Sequence, residues 1–523
     1  MAVQRFERLV DAVAWFAQRT PEAPVAWFEG RTTSYAELHA AAHEWARALV
    51  ASGVRPGDRV AVLSTPRPEF LVAMLGVHLA GAVYVGVNPS HTRREQLYML
   101  QDSSPVMLLS LAESGGRDFA QEVAQLLPEV PSLQQCVRLD AGPAVGALRD
   151  RDELLRSSSA GTGLPPVAPL DAAAIVYTSG STGTPKGALL PHAGLAYGAV
   201  TDADAMHHTF ATGEVPRVAC NLPTNHIGCI VDVVGCAMVC GGMVAFLERF
   251  DPSEMLQLIE ELRLTNLQHV PTVLQILTQM PEFATRDLSS LRVVAWGGAA
   301  LPIDVVRIYR RLGVHLQTVY GQTEIISNAT WSRPGDSDEA LATTVGRVNP
   351  DADVRIVDED GRDVADGEEG EVLYRHPSQF LGYFGNPEAT ARTVTADGFV
   401  RTGDVAVRRP DGNVVLVGRR SDMYKSGGLN VYPREVELQL EEHPSVALAA
   451  IVSVPDAKYG EVGVAFVVPR PGAPEVSIDE LAAWCKARVA GYKVPKRFEI
   501  RDELPLLPIG KVDKQRLKRD AGG

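Results

Sequence analysis

Residues 178–186 read Thr-Ser-Gly-Ser-Thr-Gly-Thr-Pro-Lys, and no other stretch of the chain narrows its possible structures as much. The run follows an apolar segment, Asp171 to Tyr177, that reads as a strand, and a second strand resumes at Ala188-Leu189-Leu190. Glycine lets a backbone turn its N–H groups inward, hydroxyls donate to phosphate oxygens, and lysine adds a mobile positive charge. Such a loop suits a polyphosphate. It is not a Walker A loop, because Pro185 precedes Lys186, Gly187 follows it, and a strand stands where a helix would open. No G-x-G-x-x-G fingerprint occurs, so a nicotinamide cofactor has no support. On composition alone, a flexible surface turn is the competing reading.

At 523 residues the chain exceeds what one simple core holds, so two or more domains are expected. Its formal charge of −14 speaks against a nucleic-acid or anionic-membrane surface, where clustered positive charge is needed. The opening MAVQRFERLVDAVAWF carries charges through the stretch that a signal peptide keeps apolar. The most apolar run, Cys229 to Phe246, holds Asp232 and Gly241-Gly242, and reads as a buried helix turning into a buried strand, with no transmembrane segment. Six cysteines in so long a chain make no disulfide framework. Cys229, Cys236 and Cys240 sit among Val, Met and Ala at spacings poor for zinc, so buried thiols and a cytoplasmic location are expected.

The first hundred residues alternate helix and strand signals. Ser34-Tyr-Ala-Glu37 has the capping-box pattern, and Leu38, Ala42, Trp45 and Leu49 follow at helical spacing. Strands near 58–64 and 82–85 alternate with helices near 69–79 and 93–100, a rhythm that predicts layered α/β structure. Residues 160–169 read as a surface connection. Beyond Val354, turns such as Asp360-Gly361, Asp366-Gly367 and Asp411-Gly412 predict a β-rich subdomain. The last hundred residues predict strands at 446–454 and 462–468 and a helix at 478–489. The fold class expected is therefore α/β: a large N-terminal domain, 1–421, of layered α/β subdomains plus the β-rich one, and a small mobile α+β domain, 422–523.

Four further motifs follow the glycine loop in order. They are Tyr320-Gly321-Gln322-Thr323-Glu324, Arg401-Thr402-Gly403-Asp404, Gly418-Arg419-Arg420-Ser421-Asp422-Met423-Tyr424-Lys425-Ser426-Gly427-Gly428 and Leu507-Pro508-Ile509-Gly510-Lys511. Together with the loop they resemble the AMP-forming adenylating superfamily of acyl-CoA synthetases, nonribosomal adenylation domains and beetle luciferases, over about Thr33 to Lys514. The resemblance implies that Thr178, Ser179, Gly180, Ser181, Thr182, Gly183 and Lys186 grip ATP together with Gly298. Tyr320 would pack on adenine, Thr323 meet the α-phosphate, Glu324 hold Mg²⁺, Asp404 accept the ribose hydroxyls and Arg419 stand beside them. Taken alone, Tyr320 would read as a core aromatic and Arg419 as part of a solvated turn. Asp422 matches the hinge between domains, and Gly427 and Gly428 the wall of a pantetheine tunnel. Lys511 resembles the lysine placed between carboxylate and α-phosphate. One departure stands out: Leu507 occupies a position that is usually small and polar in the family.

The implied reaction converts a carboxylic acid and ATP into acyl-AMP and pyrophosphate, then passes the acyl group to coenzyme A. Lys511, Glu324, Thr323 and His226 would be catalytic. The acyl pocket would follow Pro223-Thr224-Asn225-His226 and include Ile227, Val231, Asp232, Trp296 and Gly297. Asn225-His226 lacks the aspartate that pairs with an α-ammonium group, which disfavours α-amino acids. Trp296 is either a plug in the pocket floor or a packed core residue. Asp232 is either a helix-surface charge pointing away or an acceptor for a donor group on the substrate. Together these favour a short or aromatic acid over a fatty acid. Alternatives are a different acceptor, such as a carrier-protein pantetheine or an amine, and more remotely a non-catalytic nucleotide-binding relative.

Overall fold

The computed structural model describes residues 4–157, 162–178, 185–207, 214–506 and 512–522. Packing divides the chain into two compact units, the first comprising Met1–Leu301, Val305–Gly335 and Arg375–Val400, the second Pro302–Asp304, Asp336–Tyr374 and Arg401–Gly523. The β-rich stretch that sequence alone grouped with the large domain thus lies in the second unit, and Asp422 lies inside that unit.

The first unit is α/β, built on two mainly parallel sheets. In one, the strands Ala172–Thr178, Val83–Val87, Arg59–Leu63, Met107–Ser110 and Gln135–Arg138 run parallel, with Lys186–Pro191 and Gly382–Tyr383 added antiparallel at one edge. In the other, His315–Gly321, Val293–Gly297, Asn266–His269, Arg217–Cys220, Met243–Phe246 and Pro24–Phe28 run parallel. Both sheets have strands buried along nearly their whole length, as parallel sheets covered on two faces require. Helix Tyr35–Ala51 begins at the expected capping box, with Glu37 N–H donating to Ser34 Oγ and Ser34 N–H to Glu37 Oε2.

Residues Cys229 to Phe246 form the expected buried helix and strand, but the helix opens as a π-helix, Gly228–Gly235, before Cys236–Val239 and the strand Met243–Phe246. Its wider turn is a common device at functional sites. The cysteine thiols are free, and Cys220 Sγ lies 3.7 Å from Cys229 Sγ. No helix among the described residues is long and apolar enough to cross a membrane.

The second unit holds a four-stranded sheet, Asp353–Val357, Glu369–Arg375, Val400–Arg408 and Val414–Arg419, and a second sheet around the long hairpin Val446–Asp456 with Gly460–Pro469. Helices Pro433–Glu441 and Ile478–Lys486 bury Val436, Leu440 and Leu481 against that hairpin, while Leu517 of helix Lys514–Gly522 joins a separate cluster with Phe466 and Leu504.

Candidate active site

Ser179 to Thr184 lie outside the described residues, as does Lys511, but the flanks of the glycine loop are defined. Thr178 and Lys186 face each other across the antiparallel pair of strands that carries the loop. Helix Arg93–Ser103 holds both flanks. The Tyr98 hydroxyl donates to the Pro185 carbonyl at 2.8 Å, and the Tyr177 hydroxyl donates to Asp102 Oδ2 at 2.6 Å. Burial first, and the Asp102 carboxylate second, push the Tyr177 phenol far above its ordinary value, so it stays a donor.

Glu324 sits in the short 3₁₀ turn Thr323–Ile325 after strand His315–Gly321 and is only 7% exposed. Its Oε1 accepts from Thr178 Oγ1 at 3.2 Å and from the Tyr383 hydroxyl at 2.8 Å. Both donors converge on one oxygen, and Oε2 has no hydrogen bond among the described residues. Tyr383 lies on the edge strand beside Ala188, and Lys186 Nζ stands 5.1 Å from its ring centroid. Burial and then the Glu324 charge raise the Tyr383 phenol. The turn is held further by Phe380 N–H donating to the Glu324 carbonyl at 3.1 Å, and it ends at Ile326 with φ +62. A β-branched residue in the left-handed region is a strained conformation that surrounding structure must enforce.

Sequence reasoning missed Tyr383. The available signal was the glycine-flanked aromatic run Gly382-Tyr383-Phe384-Gly385, which resembles any loop until its partner is known. Tyr320 and Thr323, named from sequence, are both buried at 7% exposure in the same turn region.

The segment Pro223–His226 is pressed against the first sheet. A Cβ on Gly86 would stand 2.6 Å from Asn225 Cα, so only glycine admits this approach. Thr224 Oγ1 donates to the Ser64 carbonyl, and the Tyr84 hydroxyl donates to the Thr224 carbonyl, each at 3.0 Å. His226 Nδ1 accepts from Gly228 N–H at 3.0 Å, which fixes the ring at the start of the π-helix. His269, at the end of its strand, bonds Asn221 Oδ1 through Nε2 at 2.7 Å while Nδ1 accepts from Val270 N–H. Burial holds its pKa down at about 4, so the neutral ring is the donor to Asn221.

Ile227 and Val231 are buried, and Val231 Cγ1 lies against helix His192–His207. Trp296, on strand Val293–Gly297, is 1% exposed, a burial that both of its sequence readings require. Gly297 is half-buried, and Gly298 is exposed at φ +82. Asp232 is not a surface charge pointing away. It is enclosed by protein beside Asp202, and burial raises its carboxyl above the ordinary range.

In the second unit, Asp404 and Arg419 are cross-strand partners, with Arg419 Nε 3.1 Å from Asp404 Oδ1. Asp404 N–H donates to Thr402 Oγ1, whose hydroxyl donates to the Val372 carbonyl. Asp422 is exposed and lies three residues beyond the end of strand Val414–Arg419, its N–H donating to the Arg419 carbonyl at 3.1 Å. Gly427 and Gly428, at φ +61 and +85, form the two-residue turn between strands Tyr424–Ser426 and Leu429–Val431, a turn that favours glycine at both places. Residues 507–511 are bracketed by an antiparallel bridge between Leu506 and Val512. Just beyond, Lys514 Nζ contacts Glu437 Oε1 at 2.6 Å, and Glu437 also receives Ile451 N–H at 2.8 Å.

The model of the AMP-binding enzyme family matches residues 13–384, and that of the AMP-binding enzyme C-terminal domain matches residues 435–511. A feruloyl-CoA synthase from Amycolatopsis sp is 36% identical over 506 residues, covering 97% of each chain. Among solved structures, ATP-bound MatB from Rhodopseudomonas palustris superposes with a TM-score of 0.86 at 29% identity, covering 98% of both chains. The amide bond synthetase McbA from Marinactinospora thermotolerans gives the same TM-score at 30% identity, covering 98% of this chain and 100% of its own.

Proposed function

The chain belongs to the AMP-binding enzyme family, and on that premise we propose how its residues carry out an AMP-forming ligation of a carboxylic acid to coenzyme A. The observation that carries the reading is Glu324, a nearly buried carboxylate with two donors on one oxygen and the other oxygen open, set beside both flanks of the glycine loop. Mg²⁺ takes few protein ligands and completes its shell from phosphates and water, so one open carboxylate oxygen fits it. When bound, the ion neutralises charge that accumulates on the phosphates during transfer.

Thr178, Ser179, Gly180, Ser181, Thr182, Gly183 and Lys186 hold the β- and γ-phosphates. Tyr320 and Gly298 flank the adenine, Thr323 contacts the α-phosphate, and Asp404 with Arg419 binds the ribose. His226, Ile227, Asp232 and Gly297 border the acid. Lys511 stands between attacking carboxylate and α-phosphate, where a fixed cation offsets charge that water would otherwise screen. The acyl carbon of the adenylate is then attacked by the thiol, AMP leaves, and Gly427-Gly428 replaces Lys511 as the small domain, 422–523, turns about Asp422. The acid is short or aromatic, in keeping with feruloyl transfer by the relative named above. The enzyme works in the cytoplasm.

A second reading, an amine in place of coenzyme A as acceptor, draws on the likeness to the amide bond synthetase. One experiment tests both. Acid-dependent pyrophosphate release is measured across short, aryl and fatty acids, with coenzyme A, with an amine, and with neither. Faster turnover with coenzyme A and a preferred short or aryl acid are expected. Absence of AMP formation with every acid would overturn the proposal.

A further inference from the structure

Next to the turn Thr323–Ile325 that carries Glu324, three polar side chains meet where a core would ordinarily be apolar. Helix His192–His207 packs on the π-helix Gly228–Gly235 and on strand Asn328–Trp331. The fit is close: a Cβ on Gly198 would stand 2.4 Å from the Ile326 carbonyl oxygen and 2.8 Å from Val231 Cγ1. One turn along the same helix, Asp202 is 5% exposed and reaches both neighbouring elements. Its Oδ1 accepts from Asn328 Nδ2 at 2.6 Å. Its Oδ2 is buried and receives no hydrogen bond from any donor among the described residues.

The group that Asp202 faces is Asp232, a second carboxyl. Two carboxylates have only acceptor atoms, so they can bond to each other only with a proton between them. Two carboxyls crowded into one site favour a single shared proton over two charges, and both are raised above the ordinary carboxylate range. Burial raises both carboxyls, the Asp232 charge raises Asp202 further while the hydrogen-bonding contact with Asp202 lowers Asp232, and among the described residues no cation acts on either one. The nearest further titratable groups on the π-helix are the thiols of Cys229 and Cys236, which burial keeps neutral. An uncompensated charge inside a protein is costly unless donors complete it.

Asp232 has access to such donors. Val231 and Val233 on either side are closed at 0% and 2% exposure, whereas Asp232 keeps accessible surface although protein encloses it. Asp232 thus has room beside it for a partner that its two neighbours lack. His226, Gln268, His269 and Gly297 also keep surface, the last three at the carboxyl ends of their parallel strands, where open α/β sheets bind ligands.

We propose that the Asp202–Asp232 pair, anchored by Asn328, closes the distal end of the acid pocket and selects carboxylic acids that carry a hydroxyl or amino donor on the end away from the reacting carboxylate. The proposal rests on the assignment of His226 and Asp232 to the acid site made above. Asp232 contacts the donor; Asp202 is a positioning residue that sets the proton and charge. A second carboxylate on the acid is rejected by the same charge.

The test is acid-dependent pyrophosphate release with matched acids: cinnamate, 4-hydroxycinnamate and 4-carboxycinnamate, and benzoate with 3- and 4-aminobenzoate. In the unmodified enzyme, the donor-bearing member of at least one pair is expected to exceed its donor-free partner by about ten- to a hundredfold in kcat/KM, the worth of a hydrogen bond to a charged group. 4-Carboxycinnamate is expected to fall below cinnamate. Asp232→Leu, and the isosteric Asp232→Asn in case the leucine variant does not fold, should cost the donor-bearing acid at least tenfold more than its partner. Asp202→Asn keeps a carboxylate at 232 and should retain the preference. A merely structural role would lower both members of a pair together. Ratios within threefold for every pair in the unmodified enzyme, or an equal loss for both members in the 232 variants, would overturn the proposal. Absence of pyrophosphate release with any acid would instead overturn the function on which it rests.

Discussion

Replacing Tyr383 with phenylalanine removes one oxygen and leaves the ring in place beneath Lys186. The lost hydroxyl donates at 2.8 Å to Glu324 Oε1, and hydrogen bonds to a charged acceptor contribute about 1.5–3 kcal/mol. Tyr383 is itself half-buried, so water recovers part of that, and about 1–2 kcal/mol remains, or roughly 5- to 30-fold at 1.36 kcal/mol per factor of ten. Glu324 keeps its other donor, Thr178 Oγ1 at 3.2 Å, on the same oxygen. The carboxylate is therefore loosened rather than released, and the loss should appear where Mg²⁺-ATP is bound. The assay is acid-dependent exchange of pyrophosphate into ATP across a Mg²⁺ titration, run beside thiolation of supplied acyl-adenylate. Exchange should fall by the stated factor with a higher Mg²⁺ requirement, while thiolation stays within twofold. Because both donors act on one atom, Thr178→Val combined with Tyr383→Phe should depart from additivity by about 0.5–1 kcal/mol. An unchanged Mg²⁺ dependence, or equal loss in both half-reactions, would refute the role given to this pair.

Lys511→Ala should lower adenylate formation about 10²- to 10³-fold, the loss of one fixed charge, and spare thiolation of supplied adenylate; Asp422→Pro should do the converse, and equal loss of both halves in both variants would end the two-state scheme. Gly428→Ala places a side chain at φ +85 with open space around it, so about 1–2 kcal/mol of backbone strain should appear in urea unfolding. The thiolation half-reaction should slow tenfold or more beyond that, with adenylation within twofold. Acid should destabilise the first unit through buried histidines. Burial, then Arg8, hold the His192 ring at about 4 against 6.5 when unfolded, so its contribution is complete above pH 6.5 and is lost as pH falls toward 4, about 3 kcal/mol in all. Urea midpoints at pH 7.5 and 4.5, compared with those of His192→Asn, measure that slope.

Much of this was legible in the sequence because it is local. The capping box at Ser34, the alternating strands and helices of the first hundred residues, and the turn glycines beyond Val354 each follow from a few adjacent residues. The two-residue turn at Gly427-Gly428 gives those glycines a backbone reason to be there, independent of any tunnel. The π-helix was not legible, since a buried apolar run has the same composition in either helical form. Nor was the partition of residues 336–374 and 401–421, because a short strand carries no mark of the body it joins.

The hardest residues to read were those whose chemistry is made by a distant neighbour. Tyr383 looks like any loop aromatic until Glu324, 59 positions away, receives its hydroxyl. Asp202 looks like a polar helix residue, and Asp232 like a surface charge, until the fold sets them against each other with Asn328, 126 positions from Asp202, alongside. In both cases a carboxylate is buried and its partners are chosen so that one face is satisfied and another is left open. Folding alone gains nothing from an open face on a buried charge. A ligand does. The same logic that assigns the open oxygen of Glu324 to a metal-bound nucleotide therefore assigns the open side of Asp232 to the acid, and a chain evolved only to be stable would have replaced both with apolar groups of similar volume.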